Sequence, residues 1–227
     1  IGRMQKKWIV LSLFVLILLV IGISLSRNSE SDTNTNTTTT RSEENRNTTT
    51  PMNDNTNTAS TQMEKLSEKP VVTMATSMGT ITIKLYTSDA PELTKNFLEL
   101  AKTGYYNGLT FHRIVSGFVI QGGDPLGTGT GGHSYKGEGV GLADEPGALA
   151  LKHEKGAIAW AKSSLPNSIG SQFYIALAPL PQLDGSYSVF GQVVSGLDVV
   201  EKIGAVQTDA SDRPTTPVTI TSVTIEE

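Results

Sequence analysis

From Pro70 onward the chain alternates between two hydrophobic periods. Val71-Val72-Thr73-Met74-Ala75-Thr76 and Thr80-Ile81-Thr82-Ile83-Lys84-Leu85-Tyr86 are β-branched and alternate with period two. Ser77-Met78-Gly79 separates them, which predicts a β-hairpin with Ile81, Ile83 and Leu85 on one face. The period then lengthens. Ala90-Pro91 opens a helix with Pro in its first turn; Leu93, Phe97, Leu100 and Ala101 keep helical spacing, and Gly104 ends it. Strand-like runs follow at 109–115, 117–122, 156–161, 172–177 and 188–194, a second helix at Leu197 to Ile203, and a last strand from Val218 to Ile225. Many short strands with two helices, mostly outside βαβ order, predict an antiparallel barrel or sandwich.

Upstream the pattern changes twice. In residues 1–27, Arg3, Lys6 and Lys7 precede an uncharged apolar run of 18 residues, Trp8 to Leu25. As a helix this run would be about 27 Å long, close to the hydrocarbon thickness of a bilayer. It is longer than the apolar core of a secretory signal, about 7–15 residues, and it lacks an A-x-A site. A membrane anchor through residues 8–25 is therefore expected, with cleavage after the Ser24-Leu25-Ser26 stretch as the alternative. Either way the basic end stays in the cytoplasm and the rest is exported. The domain is expected to be membrane-anchored and periplasmic or cell-surface, or secreted if the segment is cleaved. Residues 28–69 are rich in Asn and Thr, with Leu66 the one large aliphatic side chain. Such a stretch cannot bury enough apolar surface to offset ordering, so a disordered linker is expected, with a reach of roughly 35 Å.

Charge sharpens this division. The chain carries −4, but residues 70–227 hold 10 Lys and Arg against 15 Asp and Glu, so the domain itself is at −5. That balance argues against nucleic acid as a partner. With no cysteine, thiolate metal sites, disulfides and a cysteine nucleophile are excluded. The three histidines, 112, 133 and 153, have no metal-ligand spacing and read as one core and two surface residues, so no metal site is expected. The GTGTGG run at 127–132 leads into His133-Ser134-Tyr135 and not into a helix, which fails the dinucleotide-binding context. No GxSxG elbow is present, and Asp144, Glu145 and Glu154 read as loop charges.

One cluster remains, FHRIVSGFVIQGGD at 111–124. Val119 and Gln121 share a face of an extended segment, and Arg113 joins them only if Ser116-Gly117 turns the chain. The cluster reads either as a core edge with a snorkelling Arg or as a shallow peptide groove.

Taken with PNSIGSQFYI at 166–175 and LDGSYSVFGQV at 183–193, in this order, the segment resembles the cyclophilins, a family of peptidyl-prolyl isomerases. MGTITIKLY at 78–86 and APELTKNFLELAKTGYYNGLTFHR at 90–113 extend the likeness over about 71–226. The Leu165-Pro166-Asn167-Ser168 loop and Tyr187 are most similar to the bacterial branch. The resemblance implies a mainly β domain at 70–227: a closed eight-stranded antiparallel barrel capped by two α-helices, with its groove on the outer surface. It implies a monomer acting on proline-containing polypeptides without any cofactor. It also implies Arg113 and Gln121 as catalytic residues. Phe111, Phe118, Val119, Ala161, Lys162, Gln172, Tyr174, Gln182, Leu183 and Tyr187 would contact substrate.

Four positions depart from the family's usual pattern. Val119 replaces Met, Tyr174 replaces Phe and brings a hydroxyl to the pocket, Tyr187 replaces His, and Gln182 stands where strong cyclosporin binders carry Trp. Two functions are therefore weighed: an isomerase assisting folding of extracytoplasmic proteins, and a proline-binding chaperone module with little turnover. Retention of Arg113 with Gln121 favours the enzyme.

Overall fold

The computed structural model describes residues 70–226. The expected anchor and linker, residues 1–27 and 28–69, lie outside the described residues. No helix among the described residues is long and apolar enough to cross a membrane.

Eight strands form one curled antiparallel sheet: β1 (Val71–Thr76), β2 (Gly79–Leu85), β3 (Arg113–Val115), β4 (Val119–Gly122), β5 (Ala157–Trp160), β6 (Phe173–Ala176), β7 (Val189–Ser195) and β8 (Ile220–Glu226). The order across the sheet is β3-β4-β6-β5-β7-β2-β1-β8. Register shifts at Ala75/Thr76, Thr82/Ile83 and Ile158/Ala159 mark irregularities that bend the strands. A full β3–β8 ladder, as a closed barrel would have, is replaced by a short seam. Thr110 and Thr219 bridge there, and backbone bonds join Phe111 N–H to Val218 O at 3.0 Å and Ile220 N–H to Leu109 O at 2.7 Å.

Helix α1 (Pro91–Lys102) buries Leu93, Phe97, Leu100 and Ala101 against β7 and β8. Helix α3 (Leu197–Gly204) buries Val199, Val200 and Ile203 and lies on β2, β3 and β4. A five-residue helix, α2 (Pro146–Ala150), was not expected from the pattern and has a definite task. Ala90 at the N-cap of α1 offers no side-chain acceptor. Glu145, just before α2, reaches across and accepts the orphan Glu92 and Leu93 N–H groups at 3.1 and 2.9 Å. Glu145 is thus a helix cap rather than a free loop charge.

Strand alternation produces two apolar faces. The inward set includes Ile114, Ile120, Ile158, Trp160, Phe173, Ile175 and Phe190, joined by Phe97 and Tyr106. Trp160 and Phe190 stack at 4.5 Å and Phe97 and Tyr106 at 4.9 Å, so this interior is filled by rings. The outward set is a second, smaller cluster: Val119, Ala157, Ala159, Tyr174, Ala176, Leu180 and Val189. One apolar face makes the core. The other needs a separate explanation.

Candidate active site

The outward cluster sits beside a row of directly opposed residues. Arg113 pairs with Gln121, Gln121 with Tyr174, Tyr174 with Ala159, and Ala159 with Val189, across β3, β4, β6, β5 and β7. Directly opposed residues point to the same side of a sheet, so one row carries a guanidinium, an amide, a phenol and two aliphatic groups. The row depends on the tight β3–β4 hairpin. Phe118 N–H bonds Val115 O at 2.9 Å, and Gly117 holds φ +71°, a value that suits residues without a Cβ. That turn meets the condition set for Arg113 by the sequence.

The polar end of the row is ordered by one chain of hydrogen bonds. Arg113 Nη1 donates to Gln121 Oε1 at 3.4 Å, Gln121 Nε2 to Gln172 Oε1 at 3.0 Å, and Gln172 Nε2 to Gly131 O at 2.8 Å. A carbonyl only accepts and a guanidinium only donates, so both amides are forced into one orientation. Arg113 Nε also lies 3.6 Å from Asp212 Oδ2, both side chains being about half exposed. Such a pair steers the guanidinium and contributes little stability.

The Gly131 acceptor is itself held. Asp124 takes the Leu126 and Thr128 N–H groups at 2.8 and 2.9 Å, and that of Gly129 at 2.5 Å. Burial opposes the charge on Asp124, but these backbone donors outweigh it and hold the carboxyl below the usual carboxylate range. A Cβ on the neighbouring Gly132 would stand 2.2 Å from Ser171 Oγ, so the loop closes on β6's lead-in at a distance open only to glycine. The glycine-rich run is thus an Asp-organised loop that presents a carbonyl to the site.

Phe118, Ala161, Leu183 and Tyr187 are partly buried against the outward cluster, with Val119 and Tyr174 inside it. Gln182 is exposed on the 3-10 turn Pro181–Leu183. The Lys162 ammonium is paired with Asp144 and lies 5.5 Å from the Tyr187 ring centroid; Ser188 Oγ donates to the same carboxylate at 2.7 Å. Asp144 therefore anchors Lys162 rather than serving as a free loop charge.

Three further expectations need correction. Phe111 does not line the groove: it is 0% exposed in the interior core, edge-on to Phe173 at 6.2 Å. Its even spacing from Arg113 is broken by the end of β3, which begins only at Arg113. The Tyr174 hydroxyl is not a free group in the pocket, because it meets His153 Nε2 at 2.9 Å. Two histidines are buried, not one: His153, and His112, whose pKa burial pushes down. Asp184 and Asp212 were also missed. Each lies far in sequence from the residue it serves, 31 positions for Asp184 and 99 for Asp212.

The family described as cyclophilin type peptidyl-prolyl cis-trans isomerase/CLD matches residues 71–225. The chain belongs to this family. Among curated relatives, the peptidyl-prolyl cis-trans isomerase-like 1 of Rhizopus delemar is 51% identical over 148 residues, covering 65% of this chain and 88% of the relative. The peptidyl-prolyl cis-trans isomerase ppi1 of Schizosaccharomyces pombe is 48% identical over 149 residues, covering 66% and 94%. A crystal structure of a Cryptosporidium parvum cyclophilin type isomerase superposes with a TM-score of 0.66 at 36% identity, covering 70% of this chain and 98% of that one. The same protein, crystallised in the presence of the dipeptide Ala-Pro, gives 0.65 at 37%, covering 69% and 99%. These relatives are eukaryotic, so the likeness to the bacterial branch gains no support from them. The cyclophilin domain is a peptidyl-prolyl cis-trans isomerase by family and by relatives near 50% identity.

Proposed function

We propose that the outward cluster is the proline pocket and that Arg113 is the catalytic residue. The reading is carried by one observation: a guanidinium oriented by Gln121 at the edge of an apolar outer patch. Rotation about an X–Pro bond is slow because it breaks amide resonance, with a barrier of about 18–20 kcal/mol. No covalent bond is made or cleaved. In the twisted state the prolyl nitrogen regains its lone pair and becomes an acceptor. Arg113 has five N–H donors, and its contacts with Gln121 and Asp212 leave others to face that nitrogen. A donor that meets the nitrogen only in the twisted geometry lowers the barrier without tightening the ground state. Phe118, Val119, Tyr174 and Leu183 hold the proline ring, and their apolar surroundings strengthen the Arg113 contact. Ala161 and Lys162 border the residues before proline, and Gln172 fixes Gln121. A relative crystallised in the presence of Ala-Pro supports a proline-containing peptide as ligand.

The setting is read as extracytoplasmic: a monomeric folding factor held at a membrane through residues 8–25. The charge-flanked apolar run and the Asn/Thr-rich stretch before Pro70 support it. Membrane fractionation with external protease digestion checks the placement, and a cytosolic chain with a protected domain would refute it.

The enzymatic test is a protease-coupled assay of an X–Pro peptide with the full chain in mild detergent. Arg113→Ala is expected to lower kcat/KM by about 10²–10³. An unchanged rate would place the site elsewhere. No turnover in the unsubstituted, folded chain would favour a proline-binding chaperone module.

A further inference from the structure

Behind the proposed pocket runs a second polar chain that the reaction as described leaves unused. The His153 side chain is 0% exposed. Its Nδ1 lies 3.0 Å from Asp184 Oδ1, and its Nε2 lies 2.9 Å from the Tyr174 hydroxyl. The imidazole and phenol planes are 10° from parallel, with ring centroids 6.0 Å apart. Asp184 also takes the His153 backbone N–H at 2.9 Å and pairs with Lys152 Nζ at 3.3 Å. These contacts hold the Asp184 carboxyl below its ordinary range, the backbone N–H of His153 contributing most and its ring next. An ionised carboxylate only accepts, so Nδ1 carries the hydrogen and Nε2 of the neutral ring is a bare acceptor. Burial raises the phenol's pKa well above its usual value, so Tyr174 keeps its proton and donates it to Nε2.

We infer that His153 is a positioning residue for isomerisation: its Nε2 takes the Tyr174 hydroxyl proton and so fixes the Tyr174 ring in the floor of the proline pocket. Without that acceptor the buried hydroxyl would lose its partner, and the ring that forms the floor would lose its anchor. The groups facing His153 are Tyr174 on β6, Asp184 at the end of the 3-10 turn, and Lys152 on the loop after α2. Tyr187 lies edge-on to Tyr174, 6.1 Å ring to ring, and Lys152 reaches His153 only through Asp184. The same chain ties Leu183, beside Asp184, to the floor it borders. The inference rests on the outward cluster being the proline site.

The test joins spectroscopy and kinetics on the full chain in mild detergent. With ¹⁵N-labelled histidine, the tautomers of the three imidazoles are read in the folded chain. His153, assigned through His153→Gln, is expected as the Nδ1–H tautomer. His153→Leu is expected to lower kcat/KM for an X–Pro peptide by up to about tenfold, mostly through KM. His153→Gln, which keeps an acceptor, should recover part of the loss. In a Tyr174→Phe background His153→Leu should cost nothing further. An Nε2–H tautomer or a doubly protonated ring would overturn the inference, as would a His153→Leu loss undiminished in the Tyr174→Phe background. So would variants that lose only melting temperature. Absence of turnover in the unsubstituted chain would instead sink the isomerase reading and this role with it.

Discussion

Arg113 and Gln121 are directly opposed in the β3–β4 ladder, and their side chains meet at 3.4 Å. Gln121 does not stand alone: Gln172 orients it, and the Gly131 carbonyl orients Gln172. Replacing Gln172 by Ala frees the Gln121 amide to rotate and leaves Arg113 with a mobile partner. The expected result is a kcat/KM loss of several-fold to about tenfold, well short of the Arg113→Ala loss. The melting temperature should change little, since Gln172 is only partly buried. A full Arg113-sized loss would mean that Gln172 itself touches substrate.

Phe111 and Phe118 offer a paired contrast. Phe111 is sealed in the interior and Phe118 borders the outer patch. Phe111→Ala is expected to cost about 3–5 kcal/mol in denaturant unfolding. Phe118→Ala is expected to raise KM with a much smaller stability loss. Equal stability losses in the two variants would contradict this division of faces.

Asp124 sets an acid limit on the loop. Its pKa is lower in the fold than in the unfolded chain, so its stabilisation is fully present above the ordinary carboxylate pKa of about 3.9. It is lost as the pH falls from there through the folded pKa. Asp124→Asn should lower stability at pH 7 by about 1–3 kcal/mol and flatten this part of the acid unfolding curve. Thermal melts from pH 7 down to about pH 2 read both effects.

Gln182 is exposed on the 3-10 turn, beside the partly buried Leu183. Since the family resemblance places Trp here in strong cyclosporin binders, weak affinity is expected, and Gln182→Trp should tighten it by at least tenfold. Nanomolar binding by the unsubstituted chain in calorimetry would defeat this expectation.

The sequence made periodicity legible and long-range polar partnership illegible. The β1–β2 hairpin and both longer helices lie where the apolar spacing put them, to within a residue or so, because a buried face imposes its period directly. The strand-like run at 109–115 did not survive intact: its first residues form the seam with Val218–Ile220, and only Arg113–Val115 joins the β4 ladder. Arg113 and Gln121 were readable through the motif they share. Asp212, Asp184 and Glu145 were not, because each acts on a residue 31 to 99 positions away, through contacts that leave no local period. Tyr174 was readable as a pocket residue. The direction of its hydroxyl was not, since only the packed fold puts His153 behind it.

Val119 and Ile120 are neighbours in the chain and live on opposite faces of the sheet, one in each apolar cluster. The parity of a strand position therefore decides which of two selective pressures acts on it. Substrate taste can drift through one register while the other keeps the scaffold, so point substitutions can retune the groove. A single-residue insertion in β4 or β6 has no such freedom. It would exchange the two registers at once, sending groove residues inward and core residues to water.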